Sequence, residues 1–545
     1  MSLDNLYSDI MKKTITLTIA FMLINFLAKA QAFPVHQVTV YDTASSGYYF
    51  FCPYYFSAYP VFPVGTQRQM ILDSKGQLVY YKDVSGFFAG DFKVQTNGLM
   101  SYSANHQFYI MDSTFTIIDS VFNQNGIIDD LHELLILPNG NYLILGLENV
   151  QRDLSSYNMF LGNGTPGSST ATVRAGVVQE LDSAKNVVFE WHSIDHFDFD
   201  DVDEFFLTDV NTVDWTHMNA IELDADGNLL ISSRHFNEIT KINRTDSSVM
   251  WRLGGKRNQF TFIGDSIQFL SQHDCRRIAN GHMTLFDNGR ALSPIHPAAA
   301  KEYDLDEIGL TATLVWSHLE GDTIYSRSQG NAQRLANGNT LISYGDLYPE
   351  NVVFNVVDSA GRKIFELSFP DTLITYRTFN YPSLPWMLNR PSISCVGDSI
   401  QYVLQADSGY SSYLWSTGDS TQSIVVNDTG NYYVFVPYGE GGFIASENYH
   451  VTDTVNPCFM VYVKELIAER NLFLYPNPAA DRLTIRIPDQ ASHSGSVEVF
   501  DMLGNRVIES SGYQSMKEFS IDISMLSSGT YFVKIGEYKG RFLKI

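Results

Sequence analysis

Two kinds of β-hairpin alternate along residues 47–380, and no other feature of the chain narrows its fold so far. The first kind sets a polar, glycine-containing turn between two apolar runs. It reads HELLILPNGNYLIL from His132, HMNAIELDADGNLLIS from His217, HDCRRIANGHMTLF from His273 and NAQRLANGNTLIS from Asn331, with a weaker copy, DFKVQTNGLMSYS, from Asp91. Gly98, Gly140, Gly227, Gly281 and Gly338 stand where such turns require a positive φ. The second kind tips on Asp with Ser or Gly, as in QMILDSKGQLVYY, FYIMDSTFTIIDS, VVQELDSAKNVVFEW, ITKINRTDSSVMWRL and VVFNVVDSAGRKIFEL, with a longer tip in AAAKEYDLDEIGLTATLVW. One hairpin of each kind makes a four-stranded unit, and radial repetition of such units leaves no long exposed edge. Six outer hairpins meet five inner ones, and GYYFFCPYYF near the start supplies the sixth, so the expected fold is a six-bladed β-propeller within residues 33–380. An array of β-sandwiches is the competing arrangement, but it would not impose strict alternation.

Composition agrees with an all-β chain. Among 545 residues, Tyr (31) and Phe (36) are numerous, as strands favour. The length calls for two to four domains. A net charge of −24 repels phosphate backbones and anionic lipid, which argues against nucleic acid and membrane-surface partners. It also obliges any anionic substrate to find a locally basic pocket. Residues 1–32 read as a signal peptide, with Met11 as an alternative start: Lys12 and Lys13 precede an apolar run from Thr14 to Leu27, and small residues follow. That run is too short for stable membrane insertion. The four cysteines, Cys52, Cys275, Cys395 and Cys458, lack metal-ligand spacing; Cys395 with Cys458 is one of three open pairings.

Pro-rich residues 381–391 read as a linker. Short strands over residues 392–460, with Trp415 between two of them, resemble the immunoglobulin-like β-sandwich modules of bacterial surface proteins, and suggest a spacer. From Leu472 to Ile545 the chain carries Tyr475-Pro-Asn-Pro-Ala479, Asp501-Met-Leu-Gly504, Leu526-Ser-Ser-Gly-Thr-Tyr531 and a terminal Lys544-Ile545. These motifs resemble the C-terminal β-sandwich sorting domain of type IX secretion cargo in Bacteroidetes. The resemblance implies the type IX machinery as a partner and a secreted or cell-surface location.

The innermost strand of each propeller blade runs beside the central channel, so a residue recurring just before it converges on the axis. His132, His217 and His273 occupy such positions in three consecutive blades. Around them stand DWTHMN (Asp214 to Asn219), SSRH (Ser232 to His235), WRLGG (Trp251 to Gly255) and SQHDCRRIANGHMTLFDNGR (Ser271 to Arg290). In that order these motifs resemble the secreted bacterial arylsulfotransferases. The resemblance implies transfer of a sulfuryl group from a phenolic sulfate ester to a phenol, without a nucleotide donor or any cofactor or metal. It also implies a sulfohistidine intermediate. It makes His217, His273 and Arg290 catalytic, with His132 and His235 as further candidates and Arg234, Asn219 and Arg327 as substrate-binding residues. The residue types suit the chemistry, since fixed cations stabilise charge spread over a transferring group and histidines move protons or attack sulfur.

One departure stands out. The family's sulfated histidine lies in the last blade, whereas no histidine occurs between Leu319 and Tyr449; Arg327, Gln329 and Asn331 occupy the region instead. Another histidine as nucleophile, direct transfer, or a different activity all remain open, including a hydrolase and a non-catalytic propeller that binds a glycan or protein. The other histidines, His192, His282, His296 and His318, read as turn or outer-hairpin residues, and the acidic run from His196 to Phe206 as a solvated loop. No P-loop, GxSxG elbow or HExxH helix is present.

Overall fold

The computed structural model describes residues 36–42, 45–56, 63–64, 67–84, 86, 88–160, 164–291, 295–348, 352–370, 373–396, 402–452, 470–487, 496–501, 505–511, 517–536 and 538–545. The expected signal peptide lies outside them. The chain divides into two compact units, Met1–Thr454 and Val455–Ile545. Among the described residues the only helices are four 3₁₀ turns, and no helix is long and apolar enough to cross a membrane.

The first unit contains six sheets that share a four-stranded antiparallel core, two of them with a short added parallel strand. Their innermost strands are, in order, Leu373–Tyr381, Gly90–Val94, Ile128–Ile136, Met218–Leu223, His273–Arg277 and Asn331–Arg334. Each touches the next, and the last touches the first, so the sheets form a closed, propeller-like ring. Burial follows from that ring. Met100–Ala104 and Leu229–Ser233 are buried at every residue because neighbouring sheets cover both faces, whereas the outer Thr311–Leu319 is half-exposed over much of its length.

Closure differs in one detail from the expected hairpin count. Tyr48–Phe56 does not begin an inner hairpin with its own neighbour. It pairs on one side with Leu373–Tyr381, from the far end of the ring, and on the other with Gln67–Asp73. Gln37–Tyr41 adds a fifth strand outside Lys363–Ser368. Both ends of the ring are thereby stitched across the seam, which removes the edges that a linear meander would expose.

The strands of the small module fall in three sheets: Ile393–Cys395 with Tyr402–Ala406 and Ser423–Val426, Leu414–Trp415 with Val434–Tyr438 and Gly442–Ala445, and Gly430–Tyr432 with Tyr449–Val451. Rather than a free spacer, it continues the first sheet: Gly442, Phe443 and Ile444 pair antiparallel with Lys82, Tyr81 and Tyr80. Gly442 permits this approach, since a Cβ there would lie 2.4 Å from the Tyr80 hydroxyl. Leu384, Trp386 and Leu388 of the preceding segment pack on the core of the first two sheets. Cys395 is disulfide-bonded, while Cys52 and Cys275 are free and buried; Cys458 lies outside the described residues.

In the second unit, one sheet holds Arg470–Asn471, Tyr538–Lys544, Gly529–Ile535, Val497–Phe500 and Arg506–Ser510, and the other Phe473–Tyr475, Arg482–Arg486 and Glu518–Asp522. Leu483, Ile485, Val499, Val533 and Phe542 form the core between them. The period-two burial of Arg482–Arg486 and Glu518–Asp522 is that of sandwich strands.

Candidate active site

At the channel entrance the inner strands bulge. Register shifts fall between Asp129 and Leu134, Met218 and Ala220, and His273 and Arg276. Left-handed residues accompany them: His217 (φ 46°), Ser271 (57°), Asp274 (59°) and Gln329 (70°). A bulge re-aims side chains out of the ladder, and non-glycine residues held at positive φ concentrate at functional sites. Here six successive sheets aim Phe88, His132, His217, His273, Gln329 and Tyr376 into one cavity of about 970 Å³. His235 and Arg234, from the 3₁₀ turn after Leu229–Ser233, also line it.

The imidazoles cluster. Ring centroids lie 4.9 Å apart for His132 and His217, 4.6 Å for His217 and His235, and 6.5 Å for His217 and His273. Two rings are held by carboxylates: Nδ1 of His217 is 2.5 Å from Asp214 Oδ2, and Nδ1 of His132 bonds Asp130. Burial pushes the His217 pKa below 6.5 although Asp214 pulls the other way. Asp214, opposed by its own desolvation, is held well below the usual carboxylate range by His217. Desolvation, with like charge from neighbouring rings and Arg234, drives His235 and His273 well below 6.5. These three imidazoles are therefore neutral near pH 7.

The cations divide into engaged and available. Arg290 does not line the cavity. Its Nη1 pairs with Asp203 Oδ2 at 2.9 Å, and its guanidinium stacks behind Phe205 and Phe206 at 4.3 and 5.3 Å. Arg327 lies at the mouth, half-exposed, with Nη2 2.7 Å from Asp346. Arg234 has no carboxylate within salt-bridge distance among the described residues. It donates to His235 Nε2 (2.9 Å) and to the Arg327 carbonyl (2.9 Å), and its Nε is buried without a partner. Burial lowers its pKa to about 10, so it stays charged. Asn219 lies beneath the cavity, where its side chain donates to the Gln272 carbonyl at 2.8 Å.

Aromatic side chains wall the cavity: Phe88, Phe160, Phe205, Phe206 and Tyr376. Phe205 and Phe206 belong to the run expected to be a solvated loop. Instead it folds into two 3₁₀ turns, Phe199–Asp201 and Glu204–Phe206, held where Arg252 and Arg257 bind the buried Asp201. Asp214, Asp130 and Tyr376 complete the cluster without having stood out as candidates. The first two are spaced three and two residues before a histidine, a signal that was available.

Asp214, His217 and His235 each offer a donor atom within 4.8 Å of the others. A metal ion there would share its site with the Arg234 guanidinium, so the set fits an anion better than a cation.

Residues 54–377 match the arylsulfotransferase (ASST) family model, and residues 473–544 match the secretion system C-terminal sorting domain. Among solved structures, a protein of unknown function from Bacteroides caccae aligns at 10% identity over 61% of this chain and 98% of its own, with a TM-score of 0.38. A catalytically inactive virginiamycin B lyase from Staphylococcus aureus, solved with quinupristin, aligns at 10% identity over 68% and 96%, TM-score 0.32. The Dos1 propeller aligns at 11% over 71% and 75%, TM-score 0.27. No curated protein matches the sequence.

Proposed function

The chain belongs to the arylsulfotransferase family, and from that premise we propose that it transfers a sulfuryl group from an aryl sulfate ester to a phenol in the histidine-lined cavity. The C-terminal sorting domain marks it for secretion and the cell surface, so it works outside the cell. One observation supports this reading above the others. In a chain of net charge −24, a charged guanidinium, Arg234, faces neutral imidazoles in an aromatic cavity and has no carboxylate within salt-bridge distance among the described residues, while the aspartates that line the cavity include Asp130 and Asp214, each bonded to a histidine. Such a site attracts a compact anion attached to a ring. Fixed donors there act most strongly where charge develops during transfer, and the aromatic walls hold the donor and acceptor rings by stacking.

The test is turnover. Purified mature protein is mixed with 4-nitrophenyl sulfate and an acceptor phenol, and sulfated acceptor is followed by mass spectrometry. Acceptor-dependent product is expected. Sulfate released at a rate independent of acceptor would make the protein a hydrolase, and no turnover across several aryl sulfates would overturn the reading.

A further inference from the structure

We infer that the covalent step has moved around the ring: Nε2 of His217, on the fourth sheet, carries the sulfuryl group, and His132, on the third, serves the phenolic oxygen as acid and base. This inference rests on the sulfuryl-transfer reading above, and differs from the last-blade histidine that the family resemblance leads one to expect. The sixth sheet offers no substitute. Asn331 has both ends of its amide engaged by the Thr378 backbone, at 2.8 and 3.0 Å, and Gln329 Oε1 accepts from Tyr54.

Five histidines line the cavity, and hydrogen-bond partners separate the four that cluster, His132, His217, His235 and His273. The Asn288 amide nitrogen donates to Ser326 Oγ and the Gln329 carbonyl, so its oxygen faces His273 and accepts from Nδ1–H at 2.7 Å. Nε2 of His273 accepts the Gln329 N–H at 3.2 Å. His235 is equally occupied, donating from Nδ1 to the Asp214 carbonyl at 2.5 Å and accepting from Arg234 at Nε2. Neither has a lone pair to offer. His217 and His132 each commit Nδ1 to a carboxylate, which leaves the Nε2 lone pair toward the cavity with no partner among the described residues. Of these two, His217 stacks on His235, the ring to which Arg234 donates, so a sulfuryl group held by that guanidinium lies over His217. His132 lies on its far side, between His217 and Tyr376.

The chemistry balances with these residues alone. Nε2 of His217 attacks sulfur while the sulfur–oxygen bond to the aryl group breaks, and His132, which has taken a proton from solvent at Nε2 before the donor reacts, gives it to the departing aryl oxygen. The positive charge that the N–S bond leaves on the His217 ring is balanced by Asp214 through Nδ1–H. An acceptor phenol then gives its proton to His132, its oxygen attacks sulfur, the N–S bond breaks, and both histidines return to their starting forms. Asp214 is a positioning residue, which holds the tautomer that exposes Nε2.

The decisive experiment incubates the mature protein with 4-nitrophenyl sulfate and no acceptor, quenches in alkali, and maps added SO₃ by peptide mass spectrometry. The expected result is one SO₃ on His217, discharged by added phenol. Asp214→Asn should slow its formation on the order of 10³–10⁴-fold. In His132→Gln, turnover should fall far more for an aryl sulfate with a poorly acidic phenol than for 4-nitrophenyl sulfate. Turnover with SO₃ on another residue, or with none, would overturn the inference and leave the transferase reading standing. Absence of both turnover and adduct would overturn the two together. Mapping on the native chain needs no variant to fold.

Discussion

The propeller channel has two layers, built by the same inner strands a residue or two apart, and they are opposites. In the lower layer Arg377, fully buried, pairs with Asp91 at 3.0 Å and Glu133 at 2.8 Å, and approaches Asp274 at 3.4 Å. Arg276 binds Asp274 at 2.6 Å as well as Glu133, and Lys93 bridges Asp91 and Glu133. Burial opposes charge on Glu133, but Arg276 and Arg377 hold its carboxyl well below the usual range. Every charge there has an opposite partner. In the upper layer Arg234 has no carboxylate within salt-bridge distance among the described residues, and the Nε2 atoms of His132 and His217 have no hydrogen-bond partner among them. A closed network fixes geometry and seals the channel; an incomplete one is completed by a ligand. The contrast locates function where satisfaction stops.

Removing one residue from each layer separates the two roles. His217→Asn should reduce transfer on the order of 10⁴-fold or more, with little change in the urea unfolding midpoint; loss of folding with retained specific activity would reverse the assignment of the layers. Arg377→Met leaves Asp91 and Glu133 buried without their guanidinium, and should cost roughly 3–5 kcal/mol of stability in urea denaturation. A neutral result would mean the lower layer is not the structural one. Arg234→Met should lower kcat/KM about 10²–10³-fold, the usual loss of one transition-state donor, without destabilising the fold. An effect matched by Arg290→Met would restore the arginine expected from the family resemblance.

The smallest effect concerns pH. Folding holds His217, His235 and His273 below 6.5, so below that pH the unfolded chain binds protons that the native one refuses. Their contribution to stability is complete above 6.5 and falls as the pH drops beneath it. Unfolding midpoints should decline on acidification below 6.5, less steeply in His217→Asn than in the native chain; equal slopes would deny the buried neutral ring.

Much of this was legible in the sequence because it repeats. Alternating hairpins carry the ring, and His132 and His273 stand at one offset from their turn glycines, with His217 at the corresponding place in a longer hairpin; all three line one cavity. What the repeat could not convey are contacts made across the ring. The pairing of Tyr48–Phe56 with Leu373–Tyr381 joins opposite ends of the chain. Tyr376 enters from that closing strand, where no hairpin turn marks its position. Arg290 and Arg234 look equally available as letters; only Asp203, folded over from another segment, takes one and leaves the other. His273 looks like its neighbours until the Gln329 N–H and Asn288 occupy both ring nitrogens.

On the proposal above, the upper layer passes the sulfuryl group through the protein rather than directly between two rings. Initial rates measured over a grid of aryl sulfate and phenol concentrations test it most directly. Parallel double-reciprocal lines, the pattern of a covalent intermediate, are predicted; lines that intersect would contradict it.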